Sequence, residues 1–369
     1  MYRSQQTLLA AVLDMLPMIQ EDAARSDAAA SFPKMSFDHL REAGLLKATL
    51  PVSLGGLGFG SGAKGALALV NLLTLLAEGS LPVARLYEAH VNALQLICRY
   101  GTSQLVARCA LDATAGELFA LWVTDPPKGG LKLIHSAGKL VLDGQKNFCS
   151  AAGVATRALV TAEDTSGSRM LIVNPDPGAV VKRGELKLNG MCAAVTGSVD
   201  LSGMIVSPDT LLGTTGDYLR EPVFSSGAWR GSAGALGGLM ALVKLHRQEI
   251  LQRKRAEDPH QMARFGQLMQ ALETAKLWVT QAALRSCLED QSTEAVVAYV
   301  NLARLAVESA CMDAIRLVQR GLGLSGFLMG RPVERICRDL ATYLRQPAPD
   351  ETLVRAAHHY FYHDIQGCS

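Results

Sequence analysis

The sequence predicts an α+β fold in three parts. An N-terminal helical domain spans residues 1–115, a middle antiparallel β domain 116–220 and a C-terminal four-helix-bundle-like domain 221–369. Three observations carry this. Apolar residues recur with helical period before about Gly116 and again after about Glu221. Short runs rich in strand formers, separated by turn residues, lie between them. Ala, Leu and Gly dominate while aromatics make up only 5%, a mix that favours packed helices over a large β-sandwich. At 369 residues the chain is too long for one simple core.

In the first part, Leu8, Val12, Leu13 and Leu16 share one helical face. The stretch TLLAAVLDMLPMI reads as this surface helix and not as a leader, because Asp14 interrupts it and no small-residue cleavage site follows. SFDHLREAGLL opens on Ser36 as N-cap and stops at Gly44. The loop TLPVSLGGLGFGSG follows, punctuated by Pro51, Gly55, Gly56, Gly58 and Gly60. Helical pattern then runs from about Ala63 to Arg108.

Near Gly116 the period changes. LFALWVT is a short strand-like run, and GKLVLDGQKNF carries Asp143-Gly144, a two-residue hairpin signal. RALVTAE, RMLIVNP, AVVKRG and SVDLSGMIVSP complete the β domain near Gly213. From Glu221 the helical period returns. The small residues of GSAGALGGLMALV let helix backbones approach closely. Phe265, Leu268, Leu272, Ala275, Val279 and Ala282 form one stripe; Val296, Val300, Ala303, Val307, Ala310 and Ala314 form another. Gly321 ends that helix, GLGLSGF is a loop, and Pro332 suits the first turn of a further helix.

Composition excludes several classes of function. A formal charge of +2 gives no attraction to nucleic acid or anionic lipid. No apolar run approaches the roughly 18 residues that a membrane span needs. Eight cysteines, from Cys98 to Cys368, show neither a CxxC pair nor a metal-ligand rhythm and read as reduced thiols of a cytoplasmic protein. HHYFYHD near the C-terminus lacks matching carboxylate or cysteine spacing, so no metal is expected.

Five segments, in order, resemble those of the acyl-CoA dehydrogenase superfamily. LREAGLLKATLPVSLGGLGFG is similar to its N-terminal Gly-Leu, Leu-Pro, Gly-Gly segment. LWVTDPPKGG resembles the strand and loop over the flavin pyrimidine. LDGQKNFCSAAGVATRALVTA resembles the strand usually written Gly-x-Lys-x-Trp-Ile-Thr. SVDLSGMIVSPDTLLG is similar to the last strand and exit loop. QRGLGLSGFLMGRPVERICRD resembles the Gln-x-x-Gly-Gly-x-Gly-Phe loop with its Pro-Val-Glu and Arg-Asp. The resemblance implies FAD between the β domain and the bundle, a small-molecule or carrier-bound acyl thioester as substrate, and a homodimer or homotetramer. By position, Trp122, Val123 and Thr124 would lie along the isoalloxazine edge. Phe148 replaces the usual Trp against the ring face, and Ser150 replaces the usual Thr that hydrogen-bonds flavin N5. On the residues alone, Phe148 also reads as core and Ser150 as a turn residue. Gly130 stands where a serine often contacts the pyrophosphate and offers its backbone N–H. Gln319 and Gly323 match residues that approach the adenine end across a subunit interface. QRKRAEDPHQ is shorter than its family counterpart, and Arg253, Lys254 and Arg255 read as a basic helix end facing water. FSSGAWRGSAGALGG looks more like the branch containing flavin monooxygenases.

The resemblance also exposes a gap. The family's dehydrogenases take a proton from the carbon beside the thioester carbonyl, using the glutamate of Tyr-Glu-Gly-Thr shortly after Arg-Asp. Register from Arg338-Asp339 puts Pro347 at that place and Gln346 beside it. A second place used by some members falls near Gly227, and the histidine of the monooxygenase branch, around Gln346, is absent too. No catalytic base is therefore assigned. Glu351 follows four residues later, about one helical turn or roughly 6 Å. It reads rather as the start of a last helix that Asp350 caps. Three functions follow: an FAD-dependent oxidoreductase acting on CH–CH groups, a flavin-dependent monooxygenase or oxidase, and an FAD-binding scaffold without catalysis. The first ranks ahead because the flavin-edge residues are best kept.

Overall fold

The computed structural model describes residues 4–136, 138–176, 186–288 and 290–363. The expected strand AVVKRG, Cys368 and the Asp364 of HHYFYHD lie outside them. The order is as expected: helices, then a β region, then helices.

Helix α1 (Gln5–Ala28) lays Leu8, Val12, Leu16 and Ile19 against α3 (Gly62–Gly79). Leu13, expected on that face, is 55% exposed, because it sits about 100° around the helix from Val12. Helix α2 (Lys34–Glu42) starts two residues before Ser36, which corrects the expected cap. Asp22 of α1 takes that role from outside: its Oδ2 accepts from the Ser36 N–H at 2.8 Å and from the hydroxyl at 2.7 Å. Gly44 adopts the left-handed conformation just beyond the helix, at φ 76°. The long helical stretch is three helices, α3, α4 (Leu81–Tyr100) and α5 (Ser103–Thr114). Ser80 caps α4, accepting from the Val83 N–H, with Pro82 in the first turn.

The strands are β1 (Phe119–Trp122), β2 (Lys132–Ser136), β3 (Lys139–Asp143), β4 (Gln145–Cys149), β5 (Arg157–Asp164), β6 (Gly167–Val173), β7 (Gly197–Asp200), β8 (Ile205–Val206) and β9 (Leu211–Leu212). Among the described residues the main sheet runs β8-β3-β2-β5-β6-β9, with β1 also on β5, and β4 pairs with β7 in a second sheet. The region is mixed rather than wholly antiparallel, since β1 and β2 both pair with β5 in parallel. The hairpin joins β2 to β3, not β3 to β4. The Asp143-Gly144 signal has another cause. At Gly144, with φ 115°, the chain leaves one sheet for the other, and an added Cβ would lie 2.6 Å from the Gly130 carbonyl. Two backbones cross there, which only glycine permits.

Helices α6 (Val223–Ser226), α7 (Trp229–Gln252), α8 (Pro259–Arg285), α9 (Thr293–Leu322), α10 (Pro332–Tyr343) and α11 (Pro349–Tyr362) form the C-terminal region. Both sequence stripes face inward: Leu268, Ala275, Val279 and Ala282 of α8, and all six residues of the α9 stripe, are buried. The small residues of α7 serve close approach, for a Cβ at Gly237 would lie 2.2 Å from the Thr74 carbonyl of α3. Arg253 does not face water as expected. It bonds Glu249, the Leu322 carbonyl and the Ser325 hydroxyl, tying the end of α7 to the turn after α9. The expectation that no stretch is apolar enough for a membrane span also needs correction. Thr293–Phe327 qualifies by length and composition, and its helix packs among α7, α8 and α11.

Candidate functional site

A cleft of about 1180 Å³ opens where the β region meets the two helical regions. Its β wall is built from the ends of β1 and β4. Side chains of a strand alternate faces, so three consecutive residues cannot all line one cleft. Val123 and Thr124 do line it, with Leu121, while Trp122 points into the core at 1% exposure. The Trp122 indole N–H donates to the Ser150 carbonyl at 2.9 Å and so holds the neighbouring wall from behind.

Phe148 and Ser150 line the same wall. The β4–β7 register shifts between Lys146 and Cys149, and Phe148 takes a left-handed φ of 53°. The bulge turns its ring outward, leaving an aromatic 53% exposed on the cleft wall. A non-glycine residue held at such a φ costs on the order of 1–3 kcal/mol and needs its surroundings to enforce it. Lys146 supplies part of that enforcement. Fully buried, its ammonium donates to Asp125 Oδ1 at 2.7 Å and to the Thr161 hydroxyl at 3.0 Å. Asp125 Oδ1 in turn accepts from the Leu131 N–H, fixing the loop after Thr124. Among the described residues neither the Ser150 nor the Thr124 hydroxyl has a hydrogen-bond partner, so both remain available to a bound group.

The remaining sequence candidates lie elsewhere. Gly130 bridges to Gln145 outside the cleft lining. Gln319 and Gly323 sit at the end of α9, also outside it, beside the exposed side chains of Leu324, Phe327, Leu328 and Met329. Pro347 and Gln346 do line the cleft, so no carboxylate stands at the expected base position. The Pro347 carbonyl accepts from Arg304 Nη2 at 2.9 Å. Ala348, at φ 49°, occupies the N-cap place of α11 without a side-chain bond, which corrects the expected Asp350 cap. Glu351 falls in the first helical turn, exposed to solvent and outside the cleft lining.

The sequence reading missed the opposite wall. Arg85, Glu88, Asn92 and Gln95 form a polar stripe along α4, a helix otherwise buried in apolar core. Their spacing of three and four residues was the available signal. Glu88 is 6% exposed, and its carboxylate accepts from Arg85 at 3.0 Å, Tyr343 at 3.1 Å and Asn92 at 3.3 Å. Burial and the Glu88 charge hold the Tyr343 phenol well above its usual range. Arg230, from the first turn of α7, donates to Gln95 Oε1 at 2.8 Å. Burial pulls the Arg230 guanidinium down to about 10, with Glu88 opposing the shift. A smaller pocket of about 80 Å³ continues past Glu88 and Tyr343 between α7 and α9. Among the described residues, the charged ones lining the main cleft are Arg85, Arg99, Arg230, Arg304, Arg345 and Arg355 against Glu88 alone.

Among the described residues no three His, Cys, Asp or Glu side chains cluster as metal ligands, and the seven cysteines are free thiols. The sequence matches the Acyl-CoA dehydrogenase, N-terminal domain, over residues 4–117 and the Acyl-CoA dehydrogenase, C-terminal domain, over residues 231–345. It is 30% identical to benzylmalonyl-CoA dehydrogenase from Aromatoleum aromaticum, over 87% of this chain and 88% of that protein. It is 26% identical to cyclohex-1-ene-1-carbonyl-CoA dehydrogenase from Geobacter metallireducens, over 88% of this chain and 90% of that protein. The solved structure of KijD3, in complex with FMN and a dTDP-3-amino-4-keto sugar, superposes with a TM-score of 0.82 at 22% identity, over 97% of this chain and 93% of its own.

Proposed function

From the premise that the chain belongs to the acyl-CoA dehydrogenase family, we propose that it is a flavoenzyme that holds FAD non-covalently in this cleft and oxidises an acyl thioester. One observation carries the reading. The β wall presents a strained, half-exposed aromatic, Phe148, beside the unpartnered hydroxyls of Ser150 and Thr124. An apolar ring face flanked by free hydroxyls suits a flat heteroaromatic ring with polar edges. Bound FAD would supply a hydride acceptor. The chain's own residues would hold and orient it: Phe148 would pack the ring face, Ser150 and Thr124 would hydrogen-bond its edge, and Val123 would close the wall. Trp122 and Lys146 act from behind, as positioning residues.

The base-free turn at Gln346-Pro347 favours a second reading, a flavin-dependent monooxygenase, which needs reduced flavin and oxygen but no carboxylate base. In either case we propose a cytoplasmic homodimer or homotetramer, with Gln319 and Gly323 at a subunit boundary and Gly130 offering its N–H to the cofactor. The test is anaerobic. FAD-loaded protein is mixed with saturated acyl thioesters and the flavin absorbance is followed. Bleaching supports the first reading; turnover only with supplied reductant and oxygen supports the second.

A further inference from the structure

The polar wall of the cleft contains a cation with no anion as hydrogen-bond partner. Arg85 and Glu88 form a pair at 3.0 Å, and Asn92 and Tyr343 also donate to that carboxylate. Arg230 is left with a neutral partner, Gln95. Its Nε is buried and has no hydrogen-bond partner, and the same holds for Asn92 Oδ1. The Asn92 amide cannot be turned to remove the vacancy, because its NH₂ must face the Glu88 carboxylate. Gly227 leaves room for the guanidinium: an added Cβ would lie 2.2 Å from Arg230 Nη2. A hydrocarbon chain seated here would leave a buried guanidinium N–H unpaired, an arrangement that folded proteins avoid.

Resting on the acyl-thioester reading, we infer that the acyl group carries a carboxylate at its far end, and that Arg230 is the residue that selects it. Among the described residues six arginines and one glutamate line the cleft, which favours an anion, and an acyl chain can carry one to Arg230 as a terminal carboxylate. A carboxylate also matches the planar guanidinium fork. Arg230 is thus a specificity-determining residue, and Glu88 positions Arg85 and Tyr343 beside it.

The probes are matched pairs of CoA esters: succinyl against butyryl, glutaryl against pentanoyl, adipyl against hexanoyl. Calorimetry on FAD-loaded protein reads their dissociation constants, with no turnover required. In the wild type, the carboxyl-ended ester of the best-fitting length binds about tenfold to a hundredfold tighter than its methyl-ended match, the scale of a hydrogen bond to a charged group. Arg230→Met brings the ratio near one, and Arg230→Lys leaves an intermediate ratio. Should Arg230→Met fail to hold FAD, the wild-type ratio and Arg230→Lys decide. Equal binding within every wild-type pair, or a ratio that Arg230→Met leaves untouched, overturns the inference while the thioester reading stands. If no ester of either kind binds to protein that holds FAD, the thioester reading falls and takes the inference with it.

Discussion

Phe148 shows how a single residue was half legible. Its place in a family-like strand pointed to a flavin face, but the bulge and left-handed φ that turn its ring into the cleft came from the pairing of β4 with β7. Phe148→Asp should lower FAD retention at least tenfold, read as flavin absorbance surviving gel filtration; unchanged colour would remove Phe148 from the cofactor site. Glu351 makes the opposite case. A general base contributes about 100- to 10,000-fold to rate, whereas a carboxylate at a helix start contributes about 0.3–1 kcal/mol to stability. Exposed and outside the cleft, Glu351 belongs to the second class. Glu351→Gln should change flavin reduction or turnover by less than about tenfold and lower Tm slightly. A thousandfold loss with FAD still bound would make it a displaced base. Asp339 gives a pH signature. Burial raises its carboxyl to about 6, against the Met191 N–H that donates to it at 2.6 Å. Folding therefore favours the neutral form. The resulting stability is full below about pH 4 and is lost as pH rises through 6. A shift of about two pH units corresponds to about 3 kcal/mol. Asp339→Asn keeps the acceptor and cannot ionise. The advantage of wild type over this variant should shrink from pH 4 to 7, followed by thermal melting; a constant difference would refute the assignment.

At the scale of elements, the contact of α3 with α7 joins the first helical region to the last. The Gly-rich α7 was read as a close-approach helix, and Gly237 against the Thr74 carbonyl is where the approach is closest to backbone. Gly237→Ala should destabilise the fold by about 1–3 kcal/mol, because a backbone carbonyl cannot swing aside as a side chain can. Chemical denaturation measures this, and a neutral result would mean that the helices part easily. The strand register was less legible. Asp143-Gly144 carries a hairpin signature, yet the glycine there serves a crossing of two backbones. A local turn signal reports that positive φ is needed, not which strand comes next.

At the scale of the molecule, Leu324, Phe327, Leu328 and Met329 crowd one exposed turn after α9. Such a patch on a chain that is otherwise ordinary in composition calls for cover, and a second copy of the chain is the proposed cover. Light scattering at micromolar concentration should show a dimer or tetramer, and Met329→Glu with Leu324→Glu should shift it toward monomer. A stable FAD-loaded monomer in the wild type would overturn the oligomer proposal.

The sequence by itself determined the order of the three regions and the inward stripes of α8 and α9, because periodicity is a property of neighbours along the chain; the register that puts Pro347 at the family's base position came from the resemblance. It also marked Phe148 and Ser150 as candidates through their place in a matched strand. Only the tertiary structure decided that Trp122 stands behind the cleft wall while Val123 and Thr124 line it, that Asp22 closes α2, and that Arg253 is anchored to the turn after α9. The polar wall opposite the β wall belongs to this second group. Glu88 and Gln95, Arg230, and Tyr343 come from three helices far apart in sequence, and the Arg230–Gln95 and Tyr343–Glu88 hydrogen bonds exist only once α4, α7 and α10 pack together. A side chain's partner depends on which faces meet in space, and no local pattern encodes that meeting.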